Sequence, residues 1–273
     1  MDDTLSKVMD GVASARGALV KADHPWTDAQ LAQLYDAFAF DADVPLYLEL
    51  ARSEGGRVLE LACGSGRLLL PLAEAGNQVV GVDVSPHMLQ LARAKLEAHP
   101  DVRLVQADMR AFDVDGEFDL AIVAVKSFAY LTEAEAQLQA LLCIRRHLRK
   151  GGLLAIDLLH PKPEWIAASS GSMRDDLVQY SVEHGFTLSR VESVVSTDLS
   201  RQIRVIRSAY EAIDDRGALV AKRFVEWPYR WIHRFEAEHL LARAGFEVES
   251  VHGGYQREPF TSDAPAMLIL ARR

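Results

Sequence analysis

Three short segments carry residue types that could together hold a polar organic ligand. The first reads Val58-Leu59-Glu60-Leu61-Ala62-Cys63-Gly64-Ser65-Gly66-Arg67. An apolar run ends in a turn of small residues, and small residues let backbone approach a ligand closely and adopt unusual φ and ψ. The second is Asp83, at the end of the next apolar run. A carboxylate placed there can accept hydrogen bonds from both hydroxyls of a ribose. The third is Ala107-Asp108-Met109. Asp108 could accept from the amino group of a base, and Met109 could pack on its face. Each carboxylate alone is more often a helix cap or a solvated loop charge. Their occurrence in order, each after a strand-like run, gives the functional reading its weight.

The elements that must position these residues follow from periodicity. Short apolar strands are expected at Arg57–Leu61, Gln78–Val82, Val102–Val105, Phe118–Val123 and Leu153–Leu158. Between them, Gly66–Ala75 reads as a helix closed by Gly76, with Pro71 near its first turn. Ser85 can cap the next helix, Pro86 opens it, and Met88, Leu89, Ala92 and Leu96 form its apolar face. Thr132-Glu133-Ala134-Glu135 has the form of a capping box, opening a helix that ends in Arg145, Arg146, Arg149 and Lys150 before Gly151-Gly152. Strands separated by helices imply an α/β fold, a parallel sheet with helices on both faces. Ligands bind such sheets at the carboxyl ends of the strands.

On either side the pattern changes. Residues 1–24 carry no firm signal, and Thr27–Ala51 reads as one or two helices with Leu31, Leu34, Tyr35 and Phe38 at helical spacing. After Pro161, residues 186–197, 202–213 and 218–227 look like longer strands joined by turns, an inserted antiparallel β meander. Arg201, Arg204 and Arg207 on it read as solvated charges. A helix at Arg234–Ala244 and strands at Phe246–His252 and Ala266–Ala271 would complete the sheet. The expected organisation is an N-terminal helical segment or lid (1–52), an α/β domain (53–160 and 234–273) and an inserted subdomain (161–233).

Composition narrows the function classes. A hydrophobic fraction of 49% and a charged fraction of 25% suit an ordinary globular enzyme. No run approaches the ~20 apolar residues of a membrane span. The N-terminus lacks the basic start and apolar stretch of a signal peptide. Cys63 and Cys143 form no CxxC pair, so neither a zinc site nor a disulfide framework is expected, and a cytoplasmic setting is. A net charge of −9 argues against a nucleic-acid partner. A nicotinamide-type GxGxxG starting at Gly64 would need glycine where Leu69 stands, and no P-loop lysine follows.

Taken together, VLELACGSGRLLLPLAEAG (58–76), VVGVDVSPHML (79–89), VQADMRAF (105–112), FDLAIVAVKSFAYL (118–131) and LRKGGLLAIDL (148–158) resemble the ordered motifs of class I S-adenosylmethionine-dependent methyltransferases. The resemblance covers about residues 35–160 and resumes at 234–272. It implies a Rossmann-like sheet and S-adenosyl-L-methionine as cofactor, with S-adenosyl-L-homocysteine as product. Glu60, Ala62, Gly64, Gly66 and Arg67 would border the methionine part, Asp83 the ribose, and Asp108 with Met109 the adenine. Val84, Met88 and Val125 would complete the lining, and Lys126–Tyr130 would lie near the sulfonium. Ala62 departs from the family pattern, which usually has glycine there. Leu34-Tyr35-Asp36 resembles the lid tyrosine of small-molecule N-methyltransferases, including those acting on amino sugars; an ordinary core position is the other reading of Tyr35.

Methyl transfer is an in-line displacement, so the protein must align acceptor, methyl and sulfur and exclude water. An amine must be neutral to attack, whereas a hydroxyl or carbon acceptor usually needs a base. Tyr130, His160 and His233 are the candidate catalytic groups, Tyr130 first. Tyr130, Tyr229, Trp231 and Tyr255 are candidate walls for a small acceptor, by stacking or by packing around a cation. The aromatic run 227–233 could equally anchor the meander or meet a second copy of the chain in a homodimer. No Asn/Asp-Pro-Pro-aromatic motif follows the fourth strand, and no acidic/amide pair follows Asp157, so neither base methylation nor a metal is expected. A protein that binds this cofactor without transferring methyl, a regulator or a repurposed cyclase, is the alternative.

Overall fold

The apolar alternation of residues 57–158 is realised as parallel strands threaded by helices. A computed structural model of the chain describes residues 19–20, 29–38, 40–168, 171, 177–181 and 186–273. Its elements begin with β1 (Leu19–Val20), α1 (Ala29–Asp36), α2 (Val44–Glu54), β2 (Arg57–Leu61), α3 (Leu69–Glu74), β3 (Gln78–Asp83), α4 (Pro86–Lys95), β4 (Arg103–Gln106) and β5 (Phe118–Val123). A 3₁₀ turn at Ser127–Tyr130 leads to α5 (Ala134–His147), β6 (Leu148–Leu158) and α6 (Pro163–Ala167). Then come β7 (Leu177–Ser181), β8 (Phe186–Asp198), β9 (Ile203–Ile213), β10 (Leu219–Arg230), α7 (Arg234–Arg243), β11 (Glu247–His252) and β12 (Met267–Arg272).

The chain divides into two units, one of residues 40–166 and 230–273, the other of residues 1–39 and 167–229. The first holds a seven-stranded sheet in the order β11-β12-β6-β5-β2-β3-β4. β2 through β6 run parallel, and β12 and β11 return antiparallel. Leu59 and Leu61 of β2 point into one apolar cluster, with Val82 and Phe128, while Val58 points into another with Leu69, Leu120 and Ile122. Both faces of the sheet are therefore covered, as the continuous apolar strands require. The strand order reverses around β2, so the turn after β2 stands at a topological switch point, where this architecture opens a crevice. Gly81 in β3 is what lets α3 and the turn lie close: a Cβ there would meet Leu69 Cδ1 at 2.5 Å and Cys63 Sγ at 2.9 Å.

The second unit is built on the sheet β1-β10-β9-β8-β7. β7–β8 and β8–β9 are antiparallel, as the meander pattern implies. Val194, Ile206, Tyr210 and Ala212 are buried along one face.

Several local expectations need correction. β1 pairs parallel to β10, Leu19 opposite Phe224, within the stretch where no element is expected. A two-residue strand has no period to read. The Thr132 capping box does not form; α5 is capped at Glu133, one residue later. α5 also stops at His147, and Arg149 belongs to β6, where its Nε meets Asp119 Oδ1 at 2.6 Å. That cross-strand partner competes successfully with the helix end. α3 starts at Leu69 rather than Gly66, because Gly66 takes a φ of +78°. Arg204 is fully buried rather than solvated, donating through Nε to Thr197 Oγ1 at 3.0 Å and through Nη2 to the Ala168 carbonyl at 3.2 Å. The expected boundary at residue 52 falls inside α2, which packs with the seven-stranded sheet through Leu46, Tyr47, Leu50 and Ala51.

Candidate active site

At the carboxyl end of β2 the chain makes a turn that few residues tolerate. Ala62, Gly64 and Gly66 have φ of +53°, +54° and +78°. A Cβ on Gly66 would press on Ala92 of α4 at 3.2 Å, so glycine allows helix and turn to touch. A Cβ on Gly64 would meet nothing within 4 Å, so this stretch of backbone faces open space. Asp83 fixes the turn to the neighbouring strand. Its Oδ2 accepts the Gly64 N–H at 2.8 Å and its Oδ1 accepts the Ser85 N–H at 2.8 Å. Ser85 in turn caps α4 by accepting the Met88 N–H at 3.2 Å.

Glu60 sits beneath this turn, almost fully buried. Burial, only partly countered by the Arg67 charge, raises its pKa to about 8. Its Oε2 has no hydrogen-bond partner among the described residues. A buried acceptor without a donor is costly, and a ligand bearing an amino group or hydroxyls would satisfy it. Arg67 leaves the turn to form a two-pronged pair with the fully buried Asp43, Nη1 to Oδ1 at 2.5 Å and Nη2 to Oδ2 at 2.8 Å.

Around Asp83, Val84 is an exposed large apolar side chain, Met88 is buried, and Met109 packs partly into the core. Asp108 engages Arg110: Oδ1 accepts its N–H and Nε, at 2.8 and 2.9 Å, and Oδ2 accepts its Nη2 at 2.6 Å.

The carboxyl ends of β5 and β6 supply a second cluster. Val125 and Lys126 both have left-handed backbone, φ +51° and +57°, immediately after β5. Consecutive non-glycine residues in that region store strain, and such strain concentrates at functional sites. The turn that follows presents Tyr130, half-buried. Lys126 Nζ lies 3.4 Å from Asp157 Oδ2, and the Tyr255 hydroxyl donates to the same oxygen at 2.7 Å. Lys126 also donates to the Tyr255 oxygen at 3.2 Å. Asp157 has no exposed surface, and burial raises its pKa despite the lysine. Burial and the Asp157 charge raise that of Tyr255 further from its ordinary value. Buried Tyr47 faces this group from α2.

Tyr35, in α1, and Tyr229, in β10, belong to the meander unit, where the Tyr229 ring meets Trp227 edge-on at 6.5 Å. Trp231 is buried, edge-on to Trp165 at 5.6 Å. His160 Nε2 is 2.9 Å from the Ser262 carbonyl, with its ring on Phe260. His233 is exposed at the N-cap of α7, its N–H donating to Glu236 Oε2 at 3.3 Å. Both histidines thus have structural partners. Sequence reasoning missed Asp43, Tyr47 and the roles of Lys126 and Asp157. The Asp157 pairing joins segments about a hundred residues apart, and only the break of Val125-Lys126 after a strand could have hinted at it.

A doubly covered parallel sheet, a small-residue turn at its switch point and a carboxylate at the end of the next strand define a nucleoside-binding α/β enzyme. Comparison with known proteins makes this specific. Residues 58–152 match the model of the methyltransferase domain. The cypemycin N-terminal methyltransferase of a Streptomyces species is 31% identical over 221 residues, covering 81% of this chain and 84% of that one. The dTDP-3-amino-3,4,6-trideoxy-alpha-D-glucopyranose N,N-dimethyltransferase of Streptomyces venezuelae is 27% identical over 82% of this chain and 92% of its own. Among solved structures, the CcbJ methyltransferase from Streptomyces caelestis superposes with a TM-score of 0.73 at 22% identity, covering 92% of this chain and 99% of that one.

The chain belongs to the S-adenosylmethionine-dependent methyltransferases. The cofactor supplies an electrophilic methyl carbon on a positively charged sulfur. The orphaned Glu60 oxygen, the open space at Gly64 and the Asp83 carboxylate fit a ligand carrying an amino acid and a ribose.

Proposed function

We propose that this enzyme transfers methyl to an amine nitrogen of a small organic molecule in secondary metabolism. The observation that carries the cofactor half of the reading is Asp83. Its Oδ2 accepts the Gly64 N–H of the turn and its Oδ1 the Ser85 N–H, which sets the carboxylate between the turn and α4, where a ribose would lie. Glu60, Ala62, Gly64, Gly66 and Arg67 hold the amino-acid end, and Val84, Met88 and Met109 flank the base. Asp108 is the least committed to this role, since Arg110 already occupies it. Val125 closes the floor beside the strained turn. Tyr130, in the turn after β5, forms a wall for the acceptor.

The amine half rests on the two relatives that cover most of the chain, which are named for methylation of a peptide N-terminus and of an amino sugar. A neutral amine carries its own nucleophilic electron pair, so the residues need only take a proton from its ammonium form, orient the nitrogen and exclude water. The net charge of −9 disfavours nucleic acid as acceptor, and the setting we infer is the cytoplasm. No helix among the described residues is long and apolar enough to cross a membrane.

The test is incubation with S-adenosylmethionine bearing a ¹³C-methyl group and a panel of acceptors: an amino sugar, a short peptide with a free N-terminus, a phenol and a β-dicarbonyl. New ¹³C resonances are expected on nitrogen. Label on oxygen or carbon alone would replace the amine reading. Tight cofactor binding with no transfer to any class would favour a binding protein without methyl transfer.

A further inference from the structure

We propose that Asp157, through its Oδ1, is the residue that binds the ammonium group of the acceptor, with Lys126 and Tyr255 ordering the opposite oxygen; this rests on the amine reading above. The carboxylate is used on one side only. Oδ2 receives the Tyr255 hydroxyl and the Lys126 ammonium. Oδ1 is buried and has no hydrogen-bond partner among the described residues. A carboxylate kept for stability would have both oxygens satisfied, because an unpaired buried lone pair costs as much as a lost hydrogen bond. A carboxylate kept for a ligand leaves one oxygen for it.

A strand end and two loops meet to build this arrangement. Asp157 is at the end of β6, whose Ile156 is registered opposite Val123 at the end of β5. Lys126 leaves β5 through two left-handed residues. Tyr255 comes from the connection between β11 and β12. Lys126 Nζ stands 5.8 Å from the Tyr255 ring centroid, beyond the hydroxyl to which it donates. Phe40 packs on the same ring at 5.6 Å between centroids, adding an apolar wall. A carboxylate, an aromatic face and an apolar wall are the chemistry of an alkylammonium site. In this reading Lys126 is the chain's own ammonium, and the acceptor's ammonium is a second cation on the free oxygen.

The same oxygen can then prepare the nucleophile. An ammonium held at Oδ1 passes one N–H proton to that oxygen, and the nitrogen keeps the electron pair of the broken bond. The protonated carboxyl returns the proton to water when product leaves. Burial of Asp157, which disfavours its charged form, assists this step.

The test compares two cofactor analogues on the full chain by calorimetry. S-adenosylhomocysteine lacks the methyl; sinefungin has carbon in place of the sulfur and an amine in place of the methyl. The readout is the ratio of their affinities. Asp157→Asn is expected to lower the sinefungin preference by about tenfold, with S-adenosylhomocysteine affinity held within about twofold. Lys126→Met, which removes the resident cation, is expected to raise the preference. A folded Asp157→Asn that binds S-adenosylhomocysteine with an unchanged ratio overturns the proposal. An unchanged or lower ratio in Lys126→Met overturns it as well, should Asp157→Asn fail to fold. A wild-type chain that binds neither analogue overturns the cofactor reading beneath it, a result distinguishable from the other two.

Discussion

Asp83 Oδ2 accepts the backbone N–H of Gly64 at 2.8 Å. One hydrogen bond thus joins the carboxyl end of β3 to the turn after β2. It holds the turn in place before any ligand arrives, so less ordering remains for binding to oppose. The carboxylate is nearly buried, at the edge where parallel strands present ligands. Shape of the turn and polarity of the site therefore depend on one side chain.

The left-handed Ala62 is the residue that departs from the family pattern, and the conformation explains why glycine is usual there. A non-glycine residue in this region costs about 1–2 kcal/mol, offset by the greater entropy that glycine loses on folding. Ala62→Gly is expected to leave stability unchanged or raise it by about 1 kcal/mol, read as a shift of the urea midpoint, with cofactor affinity retained. Ala62→Val should lower the midpoint clearly. Destabilisation by the glycine would mean that the φ of Ala62 is not strained in solution.

Gly81→Ala should behave oppositely. Its Cβ would fall 2.5 Å from Leu69 Cδ1 and 2.9 Å from Cys63 Sγ. Overpacking of this kind costs about 1–3 kcal/mol, and the displaced Cys63 belongs to the turn. Lower stability together with weaker S-adenosylhomocysteine binding is expected. Full retention of both would show that α3 has room to move.

Asp43 and Arg67 form a pair whose carboxylate has no exposed surface. Removing one partner of such a pair costs about 3–5 kcal/mol, because the other charge stays buried and unpaired. Arg67→Met alone should therefore be far more damaging than the double variant Arg67→Met/Asp43→Leu. A double-mutant cycle by chemical denaturation measures the coupling. Additive losses would mean that the two residues act independently.

Glu60 gives the protein a signed pH dependence. Its ordinary pKa near 4.5 applies unfolded, and burial raises it to about 8 when folded. Between these values the folded state binds more protons, so stability falls as pH rises. The contribution is complete below about 4.5 and is lost as pH passes through about 8. Thermal unfolding from pH 5 to 9 should show this decline in the wild type and a flatter profile in Glu60→Gln. Equal slopes in the two proteins would remove Glu60 as the cause.

The alternation of strands and helices, the small-residue turn after β2 and the place of Asp83 at the end of β3 were legible in the sequence because each is encoded locally. A buried parallel strand is a continuous apolar run, and its following turn is a run of small residues. Arg149 was misplaced because its deciding partner, Asp119, lies on another strand. The Lys126–Asp157–Tyr255 cluster was hidden for the same reason on a larger scale. Its members come from a strand end and two connections, and no period or spacing links them. His160 drew notice by its place after the fifth strand and His233 by its place in the aromatic run; the His160 ring meets the Ser262 carbonyl from a distant connection, and the His233 backbone meets Glu236. Tyr255 was picked out as an acceptor wall, but its bond to Asp157 needed the fold to be seen.

The most direct test of the account is calorimetric titration of S-adenosylhomocysteine into the wild-type chain and into Asp83→Ala. The account predicts saturable one-site binding to the wild type. In the variant, where ribose acceptors and the Gly64 tether are lost together, affinity should fall by at least about tenfold, corresponding to about 1.4 kcal/mol. A folded wild type that binds no S-adenosylhomocysteine, or a variant that binds it equally well, would contradict the account.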